Sequence, residues 1–81
     1  MRVDTHSTAL RHGVATEEID HAVRNAMVID DLDDDLRLYL GPATDGALLE
    51  VIALRRGDDR PELAIHAMPM REKYRRLLPE G

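Results

Sequence analysis

Cysteine is absent from this sequence, as are phenylalanine and tryptophan, and only two tyrosines are present. The lack of cysteine excludes a disulfide framework and any metal site that uses thiolate ligands. The lack of large aromatic side chains leaves few platforms on which nucleic-acid bases could stack. The hydrophobic core must therefore be built from leucine, valine, isoleucine, alanine and methionine, within an apolar fraction of 43%.

Long apolar runs are missing too. No stretch approaches the roughly 20 apolar residues that a membrane-spanning helix needs, and residues 1–4 lack the apolar segment of a secretion signal. We therefore expect a cytoplasmic protein that does not enter a membrane. A chain of 81 residues is near the lower end for folding on one hydrophobic core, which predicts a single domain over residues 1–81.

Positive charge is scarce over most of the chain. The formal net charge is −5, which argues against a protein that binds nucleic acid over its whole surface. Seven of the 11 Lys and Arg residues nevertheless lie in residues 55–81. Any site for an anion such as a phosphate is therefore expected in the C-terminal third.

The order of the sequence patterns predicts an α+β fold with two N-terminal helices, an antiparallel sheet of three or four strands and a C-terminal helix. A short helix over residues 7–12 should end at Gly13, and a second helix should begin at Thr16 as its N-cap and run to about Asn25. Apolar patterning predicts strands at residues 27–29, 36–40, 47–55 and 62–68. Pro69 is expected to open a basic helix of about ten residues.

Motifs for metals and cofactors are not found. Five aspartates lie within residues 30–35, but the Gly and distal Glu of a calcium loop are missing, and we interpret this run as a solvated turn that keeps a sheet edge soluble. No two histidines have the i, i+4 spacing of a helical zinc motif, and no cysteine completes a site for His12 and His66. We expect neither a metal nor a cofactor.

A polar row across three strands follows from the simplest registers of the two hairpins. If the turns close symmetrically about residues 41–46 and 56–60, Arg37 faces Glu50 and Glu50 faces His66 on one face of the sheet. A carboxylate beside an imidazole favours the charged ring, so this row would be able to donate protons near neutral pH. The alternative is a structural ion pair of Arg37 and Glu50, worth about 0.2–1 kcal/mol, with His66 as a bystander.

The face that carries Glu50 also carries apolar side chains, at Leu48, Ile52 and Leu54. Such a face is too apolar to stay exposed to water. Either the C-terminal helix or another protein chain is expected to cover it. A homodimer or a complex with a protein partner is therefore one of two interpretations of this face.

Several short motifs resemble the BrnT family of bacterial toxins. LRHGV at residues 10–14, followed by EEI at residues 17–19, resembles the K-H-G-V…E-E opening of that family. Residues 37–41 are similar to its R-x-x-x-G strand end, residues 49–55 to its L-x-V-x-x-x-R strand, and residues 65–67 to its I-S-A segment. The likeness covers residues 8–74 and extends to a sister group of uncharacterised bacterial domains.

This resemblance implies a RelE-like ribonuclease fold and the toxin half of a type II toxin–antitoxin pair. Such a toxin is an endoribonuclease that cleaves messenger RNA without a metal, and a cognate antitoxin protein neutralises it. The 2′-hydroxyl of the RNA attacks the phosphate, while general acid–base groups and cations carry the catalysis. The residues that this implies are His66 or Glu50 for proton transfer, Arg37, Arg55 and Arg71 as phosphate clamps, and Tyr74 as a hydroxyl donor.

A second hypothesis is a catalytically inactive protein-interaction domain on the same fold, acting as a homodimer or bound to a protein partner through the apolar face. Two departures from the family pattern favour it. Met68 stands where the family usually has an arginine, and the chain is acidic where the family is commonly basic. The order of the motifs favours the ribonuclease.

Overall fold

The computed structural model describes residues 3–57 and 59–79, which form a mixed five-stranded sheet with one α-helix on one face. The strand order is β1-β5-β4-β3-β2. The elements are β1 (Val3–Thr5), a 3-10 helix (Ser7–Leu10), α1 (Thr16–Arg24), β2 (Val28–Asp31), β3 (Leu36–Pro42), β4 (Leu48–Leu54), β5 (Glu62–Pro69) and a second 3-10 helix (Glu72–Leu77). None of the helices in these two ranges is long and apolar enough to cross a membrane.

The predicted arrangement of helices and strands is wrong in three respects. The first predicted helix is only a 3-10 helix of four residues. Residues 3–5 before it form β1, which pairs in parallel with β5, so the sheet has five strands and is not antiparallel throughout. The predicted C-terminal helix is a 3-10 helix of six residues. The RelE-like order of two helices, an antiparallel sheet and a terminal helix therefore does not describe this protein.

Local properties of the chain explain these differences. Nucleating a helix is costly, so the short segment between Thr5 and Gly13 gains too few hydrogen bonds to form a regular α-helix. Gly13 has a φ of 81°, which directs the chain away from the helical path. Pro69 ends β5 instead of opening a helix, since a strand end tolerates a residue without an N–H. Met70 continues the pairing by donating its N–H to the Leu48 carbonyl at 3.0 Å.

Helix α1 covers the residues at which the sequence predicts it and packs its apolar stripe on the sheet. Ile19, Ala22 and Val23 are buried on this stripe. The N-cap position is Ala15 rather than Thr16, and no side chain caps the first turn. The stripe shares one core cluster with side chains of the strands, namely Tyr39, Leu49, Val51, Ala53, Ala64 and Ala67.

The helix approaches the sheet very closely at Gly41 of β3. A Cβ at this position would fall against the carbonyl oxygen of Ala22, 2.9 Å from its carbonyl carbon and 3.0 Å from the Cα of Ala26. Only glycine lets two backbones come this close without a steric clash. The contact fixes the height of α1 above the sheet.

The register of the first hairpin differs from the predicted one. Leu40 pairs with Glu50 rather than with Ala47, because β3 continues through Gly41 and Pro42 and the turn is confined to residues 43–47. Arg37 consequently pairs with Ala53. Since neighbouring residues of a strand point to opposite faces, this odd-numbered shift places Arg37 and Glu50 on different sides of the sheet.

The second hairpin contains a β-bulge that the sequence pattern does not predict. Glu50 pairs with Met68 and Ile52 with His66, after which the register shifts between Ile52 and Ala53. Glu50 and His66 are therefore diagonal neighbours on the face opposite α1, not directly opposed residues. The turn predicted at residues 56–61 includes a positive φ of 73° at Gly57, and Asp58 lies outside the described residues.

The centre of the face opposite α1 is covered by the chain itself. The registers place Leu38, Leu40 and Glu50 on this face, and all three have no exposed area. The C-terminal segment returns here, because Met70 and Arg71 bond to Leu48 and Glu50. The chain itself buries these three residues, but the C-terminal helix predicted to cover the face is only a 3-10 helix, and Leu48, Ile52 and Leu54 stay partly exposed. A second chain on this face stays a prediction.

Candidate functional site

Glu50 is the centre of a hydrogen-bonded cluster on the face opposite α1. It is the one buried charged residue within residues 3–57 and 59–79. Burying a carboxylate is costly unless it is paired with a cation and accepts hydrogen bonds. The neighbours of Glu50 therefore determine whether its carboxyl group keeps its charge.

Arg71 provides most of the bonds to Glu50. Its Nη2 donates to Oε2 at 2.7 Å, and its Nε lies 3.1 Å from both carboxylate oxygens. Its backbone N–H also donates to Oε1 at 2.9 Å. Guanidinium groups that bond both oxygens of a carboxylate form strong pairs of fixed geometry. The pair therefore anchors the C-terminal segment, which starts just after β5, to the centre of the sheet.

His66 is the second partner of Glu50. Its Nε2 lies 2.9 Å from Oε2, while its side chain is 26% exposed. With the proton on Nε2 the ring donates to Glu50, and Nδ1 keeps its lone pair for another group. A buried carboxylate that fixes the tautomer and orientation of an imidazole is also the arrangement that serine hydrolases use.

His12 lies beside His66, and sequence reasoning missed this contact. The ring centroids are 5.7 Å apart and the ring planes meet at 76°. His12 is exposed in the turn after the 3-10 helix Ser7–Leu10, which packs on β5. The parallel pairing of β1 with β5 brings this segment to His66. A three-residue strand carries too short a pattern to predict that pairing.

The environment of Glu50 lowers the pKa of its carboxyl group. Burial raises this pKa, but the hydrogen bonds from the side chain and backbone of Arg71 and from His66 outweigh burial and hold the pKa below its ordinary value of 4.5. The contact also raises the pKa of Arg71 above its ordinary value. Glu50 is therefore ionised at neutral pH and acts on His66 by orienting it rather than by donating a proton.

The Glu50 cluster should make the protein less stable in acid. The pKa of Glu50 in the folded state lies below its unfolded value, so the cluster stabilises the fold above the unfolded pKa, and this stabilisation is lost as the pH falls through the folded pKa. We expect the urea midpoint to fall more steeply between about pH 5 and pH 3 in the wild type than in Glu50→Gln. Glu17→Gln, which changes an exposed carboxyl on α1, should keep the wild-type steepness. Equal acid sensitivity of the wild type and Glu50→Gln would contradict a lowered pKa.

Tyr74 and several cations lie next to Arg71. The guanidinium carbon of Arg71 is 5.8 Å from the centre of the Tyr74 ring, and Nζ of Lys73 is 5.0 Å from it. Cations at such distances are attracted to the face of an aromatic ring. Lys73, Arg75 and Arg76 are exposed on the same segment. The C-terminal 3-10 helix therefore brings positive charge to the side of the cluster.

Arg37 lies in a different network, on the α1 face of the sheet. Its Nε donates to Asp31 at 3.0 Å and its Nη1 to Glu62 at 3.3 Å. The hydroxyl of the buried Tyr39 donates to Glu62 at 2.7 Å. Burial, and secondly this hydrogen bond, raise the pKa of Tyr39 to about 12. The predicted row of Arg37, Glu50 and His66 is therefore wrong, because the sheet separates Arg37 from the other two.

Arg55 is also remote from Glu50. It is exposed just after the end of β4, and five residues of extended chain place it about 16 Å from Glu50 along the strand. Its backbone N–H donates to the carbonyl of Asp35 at 2.7 Å. The sequence predicts six site residues, and the structure brings four of them together: Glu50, His66, Arg71 and Tyr74. Arg37 and Arg55 lie elsewhere.

Comparisons with known proteins do not identify a family or a function for this chain. No family model, no curated protein and no solved structure matches this chain. The resemblance to the BrnT toxins therefore depends on the short motifs alone. Within the described ranges, no group of three or more His, Asp or Glu is placed to hold a metal ion. The function has to be inferred from the Glu50 cluster itself.

Proposed function

We propose that this protein is a metal-independent endoribonuclease, which acts in the cytoplasm as a toxin on messenger RNA and is neutralised by a cognate antitoxin protein. The observation that carries the proposal is the contact between the buried carboxylate of Glu50 and the partly exposed ring of His66, beside the guanidinium of Arg71. The toxin role is supported by the order of the motifs in the sequence. The proposal does not depend on a RelE-like sheet, which this chain lacks.

His66 supplies the group that moves a proton. With Nε2 donating to Glu50, Nδ1 accepts the proton of a ribose 2′-hydroxyl, whose oxygen attacks the adjacent phosphorus. The bond from phosphorus to the 5′-oxygen breaks, and that oxygen takes a proton from a general acid. The products are a 2′,3′-cyclic phosphate and a free 5′-hydroxyl. The general acid is His12, whose ring lies against that of His66, or Tyr74, whose ring lies against Arg71.

The cations of the C-terminal segment support binding of a phosphodiester. Arg71 is 44% exposed in spite of its bonds to Glu50. Guanidinium groups bind phosphate oxygens with two hydrogen bonds, and they act most strongly where negative charge develops in the transition state. Lys73 and Arg76 extend the positive surface from Arg71 along the 3-10 helix. This local charge offsets the negative balance of the whole chain.

The requirement for a 2′-hydroxyl tests the proposed reaction. We expect the purified protein to cut single-stranded RNA in the presence of EDTA and to leave DNA of the same sequence intact, because the attacking oxygen is missing from DNA. Electrophoresis of end-labelled substrates measures the cleavage, and mass spectrometry identifies the cyclic phosphate. RNA that stays intact between about pH 6 and pH 8, or DNA that is cut equally well, would contradict the proposal.

A catalytically inactive interaction domain is the second candidate function. The hydrogen bonds around Glu50 favour it. Both carboxylate oxygens accept bonds from Arg71, as they would in an ion pair that only stabilises the fold. This candidate predicts no RNA cleavage, and it predicts loss of stability as the only effect of changing His66. A folded wild-type protein that leaves RNA intact would make it the better description.

A further inference from the structure

The outer edge of β2 is open. β2 (Val28–Asp31) is the last strand in the sheet order, and β3 is its one strand partner among residues 3–57 and 59–79. Along an edge strand, alternate N–H and C=O groups point away from the sheet and are able to pair with another strand. The edge of β2 is therefore a template on which a sixth strand can form.

Exposed apolar side chains concentrate at this edge. Of the four large apolar residues that are exposed in the described chain, three lie in or beside β2: Met27 at 48%, Ile29 at 55% and Leu32 at 44%. Single exposed apolar residues are normal on a protein surface, whereas a cluster of them marks an interaction site. If the acidic run served only to protect the edge, these three positions would have no reason to be apolar.

The same edge is strongly acidic. The aspartates at residues 30, 31, 33, 34 and 35 are all exposed. Asp31 pairs with Arg37, and Asp33 accepts backbone N–H groups of its own turn. No side-chain partner of Asp30, Asp34 or Asp35 is found in the part of the chain that the structure describes. Two copies joined by their β2 edges would bring these carboxylates together, so like charges disfavour a second copy as the occupant.

We propose that the β2 edge binds an extended, basic segment of another protein, which adds to the sheet as a sixth strand. Backbone hydrogen bonds supply affinity in this mode of binding, and alternate side chains supply specificity. Apolar side chains of the incoming strand pack on Met27 and Ile29, while its lysines or arginines point to the face of Asp30 and pair with Asp30 and with Asp34 and Asp35 in the adjoining turn. β3 separates this edge from Glu50 on β4, so binding at the edge can be measured apart from RNA cleavage.

Binding of a designed peptide tests the proposal. The probe is a fluorescein-labelled peptide in which lysine alternates with valine, and the matched peptide has glutamate in place of each lysine. We expect fluorescence polarisation to detect binding of the lysine peptide alone, weakened by added salt because the aspartates are exposed. Amides of β2 should exchange their hydrogens more slowly in the complex, because they become bonded to the new strand.

Two triple variants, each of which loses three carboxyl groups, distinguish binding at the β2 edge from a general attraction of the peptide to an acidic protein. Asp30→Asn/Asp34→Asn/Asp35→Asn should bind the lysine peptide about tenfold more weakly, because it loses the carboxylate of Asp30 beside the new strand and those of Asp34 and Asp35 in the adjoining turn. The control removes three exposed carboxyl groups elsewhere, in Glu17→Gln/Asp59→Asn/Glu72→Gln. It should keep the affinity of the wild type.

Four outcomes would overturn this proposal. The first is failure of the wild type to bind the lysine peptide, and the second is equal weakening in the two triple variants, which indicates general electrostatic attraction. The third is hydrogen exchange that does not slow at the β2 amides. The fourth is a dimer of the free protein by light scattering that Ile29→Asp abolishes, because the edge would then belong to a second copy.

Discussion

The His66→Gln variant is expected to cleave RNA with a kcat/KM about 10²–10⁴-fold below that of the wild type. The amide of glutamine is able to donate a hydrogen bond to Glu50, but it has no basic nitrogen that takes up a proton. The substitution therefore removes proton transfer while the buried carboxylate keeps a donor. Initial rates on end-labelled RNA at limiting substrate measure the effect.

His21→Gln is the matched control for this variant. His21 lies on α1, on the other side of the sheet, where its Nδ1 is 2.8 Å from the carbonyl oxygen of Pro42. Its replacement should leave kcat/KM unchanged, and urea denaturation of both variants checks that each is folded. A folded His66→Gln protein with wild-type kcat/KM would show that another group transfers the proton.

The Gly41→Ala variant is expected to lose about 3 kcal/mol of its free energy of unfolding, the upper part of the usual range for overpacking. The added methyl group meets backbone atoms of α1 at Ala22 and Ala26, which have no rotamer by which to move away. The helix must therefore lift from β3, and the apolar stripe that begins at Ile19 loses part of its burial. Total stabilities of small domains are about 5–15 kcal/mol, so much of the protein should be unfolded at moderate urea concentrations.

Gly46→Ala distinguishes this clash from the general cost of replacing a glycine. Gly46 has a φ of 89° in the turn between β3 and β4, and no heavy atom lies within 4 Å of a Cβ built there. Its replacement should cost only about 1 kcal/mol, from backbone strain alone. The two urea midpoints measure the difference. If the Gly41→Ala midpoint equals that of Gly46→Ala, the close packing of α1 on β3 is not a determinant of stability.

The sequence predicts the positions of the central elements because each has a strong local pattern. The stripe of Ile19, Ala22 and Val23 has helical spacing, and α1 follows it. The apolar residues of β3, β4 and β5 identify three strands within one or two residues of their ends. β1 has three residues and takes its strand pairing from β5, which is distant in the sequence, so no local pattern predicts it. The parallel pairing and the five-stranded sheet go unpredicted with it.

The candidate site is predicted in part, and the errors come from the turns. Glu50 and His66 meet because they lie on the same face of adjacent strands. The register differs from the predicted one by two residues, and an even shift leaves both side chains on that face. Arg37 is misplaced because the first turn is shorter than its composition suggests, and an odd shift reverses the face. The contact of Arg71 with Glu50 depends on the path of the chain after Pro69. Tertiary packing determines that path, so the local sequence does not predict it.

The parallel pairing of β1 with β5 joins the first and the last of the five strands that the structure describes. Their pairing closes a loop of roughly 60 residues, and the entropic cost of that closure is met only when both strands exist. On the ribosome, β1 emerges before β5 and has to wait for β5 to be synthesised. His12 follows β1 and reaches His66 through this pairing, so a nascent or prematurely terminated chain holds no assembled histidine pair. A cell that makes this protein therefore contains the complete cluster only after β5 and Arg71 have been translated.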